Sequence, residues 1–121
     1  MADFTTIAQR YIDAWNTTDP QRRRAVIEDL WSPDGEYVDP LAESRGHAAI
    51  DTMIATVQSQ FPDFRFRLAG SVDAHHNQAR FRWELGPGEG EAPVVGFDVV
   101  VADDNGRLSS VYGFLDRVPT A

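Results

Sequence analysis

A chain of 121 residues, 42% apolar and carrying three Trp, three Tyr and seven Phe, has the size and composition of one folded domain over residues 1–121, and these exclude a wholly disordered one. Its formal net charge of −8 and pI near 4.6 repel phosphate backbones and exclude nucleic acid as a default partner. Without cysteine there is no disulfide or thiolate chemistry, and no apolar run approaches the roughly 20 residues of a membrane span, so a cytoplasmic protein with no membrane partner is expected.

In chain order, Phe4, Ile7, Ala8, Tyr11, Ile12 and Trp15 recur at helical spacing behind Asp3, a suitable N-cap. Asp19-Pro20 reads as N-cap and first position of a second helix through Ala25, Val26, Ile27, Leu30 and Trp31, stopped by Ser32-Pro33-Asp34-Gly35. Residues 36–39 form a short strand closed by Pro40, and a loop leads to Gly46. Ile50, Met53, Ile54, Val57 and Phe61 then mark a third helix.

Beyond Pro62 the period changes from 3.6 to 2. Phe64, Phe66 and Leu68 alternate with Arg65 and Arg67, and Ala79, Phe81, Trp83 and Leu85 alternate with Arg80, Arg82 and Glu84, with His75-His76-Asn77 as the turn between. Residues 86–93 (GPGEGEAP) make a hairpin loop, and Asn105-Gly106 turns the strand at 94–101 into the one at 108–115. Helices followed by a meander predict an α+β domain with helices on one face of a curved sheet.

Three polar residues break the apolar pattern: Tyr11 on the first helix, Asp39 at the end of its strand, and Asp98 within GFDVVV. An unpaired buried carboxylate costs several kcal/mol, of order, or gives up its charge, so such positions have a partner or a task.

Three segments, QRYIDAWN (9–16), YVDPLAESRGHAAI (37–50) and VVGFDVVVADDNGRLSSVYGFLD (94–116), in this order resemble the nuclear transport factor 2-like superfamily, and within it the ketosteroid isomerases and SnoaL-like polyketide cyclases. The resemblance spans nearly the whole chain. It implies a cone of three N-terminal helices against a strongly curved, mainly antiparallel sheet, a deep pocket inside, and a homodimer through the outer sheet face. It also implies that Tyr11, Asp39 and Asp98 correspond to the isomerases' catalytic tyrosine, base and protonated aspartate. Superfamily members that only bind ligands make a carrier the alternative.

The residues themselves support the same division. Alternation places Val94, Gly96, Asp98 and Val100 on one face, where desolvation should raise the Asp98 pKa and make it a hydrogen-bond donor, with Gly96 leaving room for a ligand. Asp39, at a rim, would stay ionised as a general base, and Tyr11 offers an O–H. A carbonyl compound held there would lose an α-proton to Asp39 while Tyr11 and Asp98 hold the oxyanion. Trp15, Trp31, Phe61, Phe81, Trp83 and Tyr112 are core or pocket lining, which periodicity alone does not separate, and are expected with Gly96 to bind the substrate.

Other readings compete. Tyr11 could be a core tyrosine, Asp39 a turn residue bonding its own backbone, and Asp98 the partner of a neighbouring arginine. Adjacent His75 and His76 lack a third ligand at suitable spacing, so neither metal nor cofactor is expected. Arg65, Arg67, Arg80 and Arg82 read as a ladder paired with acids, and Arg22-Arg23-Arg24 as a surface helix turn. The expected function is a cofactor-independent acid–base isomerase or cyclase acting on a small hydrophobic, steroid-like or polyketide-like molecule.

Overall fold

Asp3 caps the first helix by accepting from the Thr5 and Thr6 amides, and helix α1 (Phe4–Asn16) buries the stripe that contains Tyr11 and Trp15. The computed structural model describes residues 3–88 and 90–119. Helix α2 (Pro20–Leu30) starts on the Asp19 cap, strand β1 (Trp31–Val38) follows, and β2 (Glu43–Arg45) precedes helix α3 (His47–Gln60). Strands β3 (Arg65–His75), β4 (Gln78–Gly86), β5 (Val94–Ala102) and β6 (Leu108–Arg117) complete a curved, unclosed sheet in the order β2-β1-β6-β5-β4-β3, with the three helices packed against it.

Two local expectations are corrected. Trp31 opens β1 instead of ending α2: its backbone is extended (φ −104°, ψ 146°) and it pairs with Leu108. It lies four residues after Ile27, so helix and strand would both bury it, and its 1% exposure fits either assignment. Residues 32–35 are an irregularity within the strand. A Cβ on Gly35 would stand 2.8 Å from the Trp31 ring, so glycine lets the chain fold back over the indole. The expected loop after Pro40 holds β2, antiparallel to β1, whose Glu-Ser-Arg sequence has no apolar alternation to reveal it.

The pairing of β1 with β6 is parallel; the other strand pairs are antiparallel. It joins the first strand to the last, a non-local contact with no sequence signature. The middle of the surface arginine triplet is also reassigned. Arg23 is buried, its Nε donates to Asp51 at 2.6 Å and a terminal nitrogen to Gln58 at 3.0 Å. Gln58 in turn donates to the carbonyls of Trp15 and Thr17, and Asn16 bonds both the amide and the carbonyl of Phe66, so the C-terminal end of α1 is fixed to α3 and β3. Of the predicted arginine ladder, Arg67 pairs with Glu84 and Arg80 with Asp73.

Candidate active site

Between α1, α3 and the inner face of the sheet lies an apolar cavity of about 190 Å³. Trp15, Phe61, Phe66 and Trp83 contribute to its walls, and the exposed side chains of Leu41 and Val118 edge it. Tyr11, Asp39 and Asp98 all line it, so three residues separated by up to 87 positions meet in one space.

Asp98 sits mid-sheet, paired with Phe81 of β4 on one side and Gly113 of β6 on the other. Its side chain is 1% exposed and its Oδ2 accepts the Tyr11 hydroxyl at 2.8 Å, whereas Oδ1 has no hydrogen-bond partner. Burial pushes the Asp98 carboxyl up to about 6; the Trp83 indole N–H and the Tyr11 hydroxyl hold it down, and the Asp39 charge raises it. The indole faces the carboxyl without reaching hydrogen-bond geometry. At pH 7 a group of pKa about 6 is roughly nine-tenths ionised. Asp98 is therefore poised to take up a proton as the pH falls towards about 6.

Asp39 is half-buried and fully engaged. Its Oδ1 accepts from the amides of Leu41 and Ala42, both at 2.8 Å, and its Oδ2 accepts the Tyr37 hydroxyl at 2.6 Å. The turn reading and the cavity position thus hold together: the carboxylate that builds the β1–β2 turn also faces the cavity. Burial pushes both tyrosine hydroxyls well above their ordinary value, reinforced by the Asp98 charge at each and the Asp39 charge at Tyr37, so both stay protonated.

Trp15, Phe61 and Trp83 line the cavity; four other expected binding residues do not. Trp31 and Phe81 lie behind Tyr11, at ring-centre distances of 6.3 and 5.6 Å, as core. Gly96 leaves no room for a ligand, because a Cβ there would meet the Trp83 indole at 2.0 Å; its bareness lets that ring lie on β5. Tyr112 points outward from β6, 40% exposed, and donates to Glu36 at 3.2 Å. The alternation of β6 accounts for this, since Val111 and Gly113 face inward.

Two site residues were missed. Tyr37 shares a strand face with Asp39 two positions on, a legible signal. Gly113 becomes visible only through its cross-strand pairing with Asp98. A Cβ on Gly113 would stand 2.9 Å from Asp98 Oδ1, 3.2 Å from Asp39 Cβ and 3.4 Å from the Tyr37 hydroxyl. Gly113→Ala is expected to cost about 1–3 kcal/mol by overpacking and to weaken ligand binding, checked by thermal unfolding and titration.

His75 and His76 stand at the β3–β4 turn, and among the described residues no group of three His, Asp or Glu side chains could hold a metal ion. No helix among them is long and apolar enough to cross a membrane.

The SnoaL-like domain family matches residues 8–111. A protein of the SnoaL-like family from Agrobacterium tumefaciens, provisionally named an isomerase, is 43% identical over 93% of this chain and 96% of its own, with a TM-score of 0.88. A provisionally named SnoaL-like polyketide cyclase from Jannaschia (16% identity, 93% and 84% coverage, TM-score 0.73) and an NTF2-like protein of unknown function from Exiguobacterium (20%, 91% and 98%, 0.70) share the fold. No curated protein matches the sequence. With most of its length matched, its fold that of the NTF2-like proteins and a relative at 43% identity, the chain belongs to the SnoaL-like family.

Proposed function

We propose that the protein is a cofactor-independent acid–base enzyme, an isomerase or cyclase, acting on a small hydrophobic carbonyl compound. The observation that carries this reading is the meeting of Tyr11, Asp39 and Asp98 in one apolar cavity, two carboxyls in unlike surroundings around a space for a ligand. Asp39, with three hydrogen-bond donors around it, is the base that takes the α-proton. The Tyr11–Asp98 pair supplies the donor for the developing oxyanion. The provisional name of the Agrobacterium relative agrees with isomerisation, and that of the Jannaschia protein with cyclisation. The test is hydrogen–deuterium exchange at the α-carbon of small cyclic ketones, followed by NMR with and without protein; ketones that bind without accelerated exchange would count against catalysis.

A second reading, a ligand carrier without turnover, is favoured by one observation. Asp39 Oδ1 is occupied by the Leu41 and Ala42 amides, which holds the carboxylate as a turn element.

We also propose a homodimer through the outer sheet face. Phe97, Val99 and Val101 are only half-covered there, and Tyr112 and Phe114 are exposed, an apolar surface that a twofold partner would bury. Sedimentation at micromolar concentration is expected to give about twice 13.5 kDa; a monomer would contradict this.

A further inference from the structure

Two carboxyls share the cavity, and no cation stands beside them. Among the described residues the lining holds no Lys, Arg or His, and neither Asp39 nor Asp98 joins an ion pair. Buried acids are as a rule paired, so this arrangement lacks its counter-charge. The Trp83 N–H and the Gln60 amide also line the cavity, but as neutral donors they balance no charge. Asp98 Oδ1 is, among the described residues, the one buried side-chain oxygen or nitrogen without a hydrogen-bond partner. The carboxyls close on one point: a Cβ on Gly113 would stand 2.9 Å from Asp98 Oδ1, 3.2 Å from Asp39 Cβ and 3.4 Å from the Tyr37 hydroxyl. The bare glycine keeps the space between them clear.

We infer that the cavity takes a compact organic ammonium ion, its charged head between Asp98 and Asp39 over Gly113 and its apolar body against the aromatic wall. This goes beyond the acid–base reading and does not rest on it, because it concerns a second class of ligand, one that would exclude a ketone from the same space. The acceptors match the head. An ammonium brings three N–H donors, and the site offers Asp98 Oδ1, the remaining lone pair of an Asp39 carboxylate that already accepts three bonds, and the Tyr37 oxygen. A cation there also relieves the repulsion between the two acids. The wall matches the body. Tyr37, Trp15, Phe66 and Trp83 follow one another at ring-centre distances of 5.7, 5.2 and 5.3 Å, and aromatic rings attract cations as well as apolar groups. Size follows from the volume: about 190 Å³ modestly exceeds the roughly 150 Å³ apolar cavity that holds a benzene, so the body has one or two rings.

The test is calorimetric titration of the wild-type protein with 1-aminoindane, its neutral counterpart 1-indanol and the anion indane-1-carboxylate, from pH 5 to 8 in buffers of different ionisation enthalpy. The groups packed against Asp98 are Tyr11 from α1, Tyr37 and Asp39 from β1, the Trp83 indole from β4 and Gly113 from β6; both tyrosines stay protonated throughout, so the slope reports the carboxyl. At pH 7, 1-aminoindane is expected to bind at least about tenfold more tightly than 1-indanol, and the carboxylate not at all. The cation binds the ionised acid, so amine affinity should be level above pH 7 and fall about tenfold per pH unit below about 6, with release of nearly one proton at pH 5. Asp98→Asn should lose that slope and at least about tenfold in amine affinity at pH 7, while 1-indanol still binds. An amine bound no more tightly than 1-indanol at pH 7, a wild-type affinity that does not fall below pH 6, or full amine affinity in Asp98→Asn would each overturn the inference. Amine binding by a protein that exchanges no ketone α-proton would sink the catalytic reading alone. Exchange without amine binding would sink only this inference.

Discussion

Asp39→Asn is expected to lower the rate of α-proton exchange, or of turnover once a substrate is known, on the order of 10²-fold or more, the usual scale for loss of a general base. The replacement is conservative for the fold. Its carbonyl oxygen can still accept from the Leu41 and Ala42 amides, which turn the chain from β1 into β2, and the Tyr37 hydroxyl can rotate to accept from the new amide. Thermal unfolding should therefore change little while the rate collapses, and binding of a ketone should persist. A folded Asp39→Asn protein with full exchange activity would reduce Asp39 to a turn residue and leave the carrier reading in possession of the cavity.

Asp98→Asn is expected to stabilise the protein at neutral pH. Folding raises the Asp98 pKa from 3.8 to about 6, so between those values the native state holds a proton that the unfolded chain has released. Stability from this group therefore increases as pH falls from about 6 towards 3.8. Above 6 the ionised form carries the whole penalty, about 3 kcal/mol by linkage. The neutral amide removes that penalty and keeps an acceptor for Tyr11, which should raise the melting temperature by about 10 °C at pH 7 with little gain near pH 4. In catalysis Asp98→Asn, which retains a donor, should be less damaging than Asp98→Ala, which has none. The measurement is the difference in melting temperature between wild type and variant across pH 4 to 8. A constant difference would show that Asp98 does not titrate in this window.

The sequence by itself determined the helices, the four long strands and the three residues that converge. Amphipathic period, caps at Asp3 and Asp19 and the Asn-Gly turn are local signals, and a carboxylate within a valine run stands out wherever the chain goes. The tertiary structure alone decided what surrounds them. Parallel pairing of β1 with β6 brings Asp39 beside Gly113 and hence beside Asp98, and no periodicity encodes that contact. Trp31, Phe81 and Trp83 are equally apolar in the sequence, yet only Trp83 faces the cavity. Which aromatic becomes lining depends on where α1 lies over the sheet, which the Asn16 and Gln58 hydrogen bonds fix across 40 or more residues. Gly96 shows the same limit: a missing side chain can leave space, but only the packed structure shows that an indole has taken it.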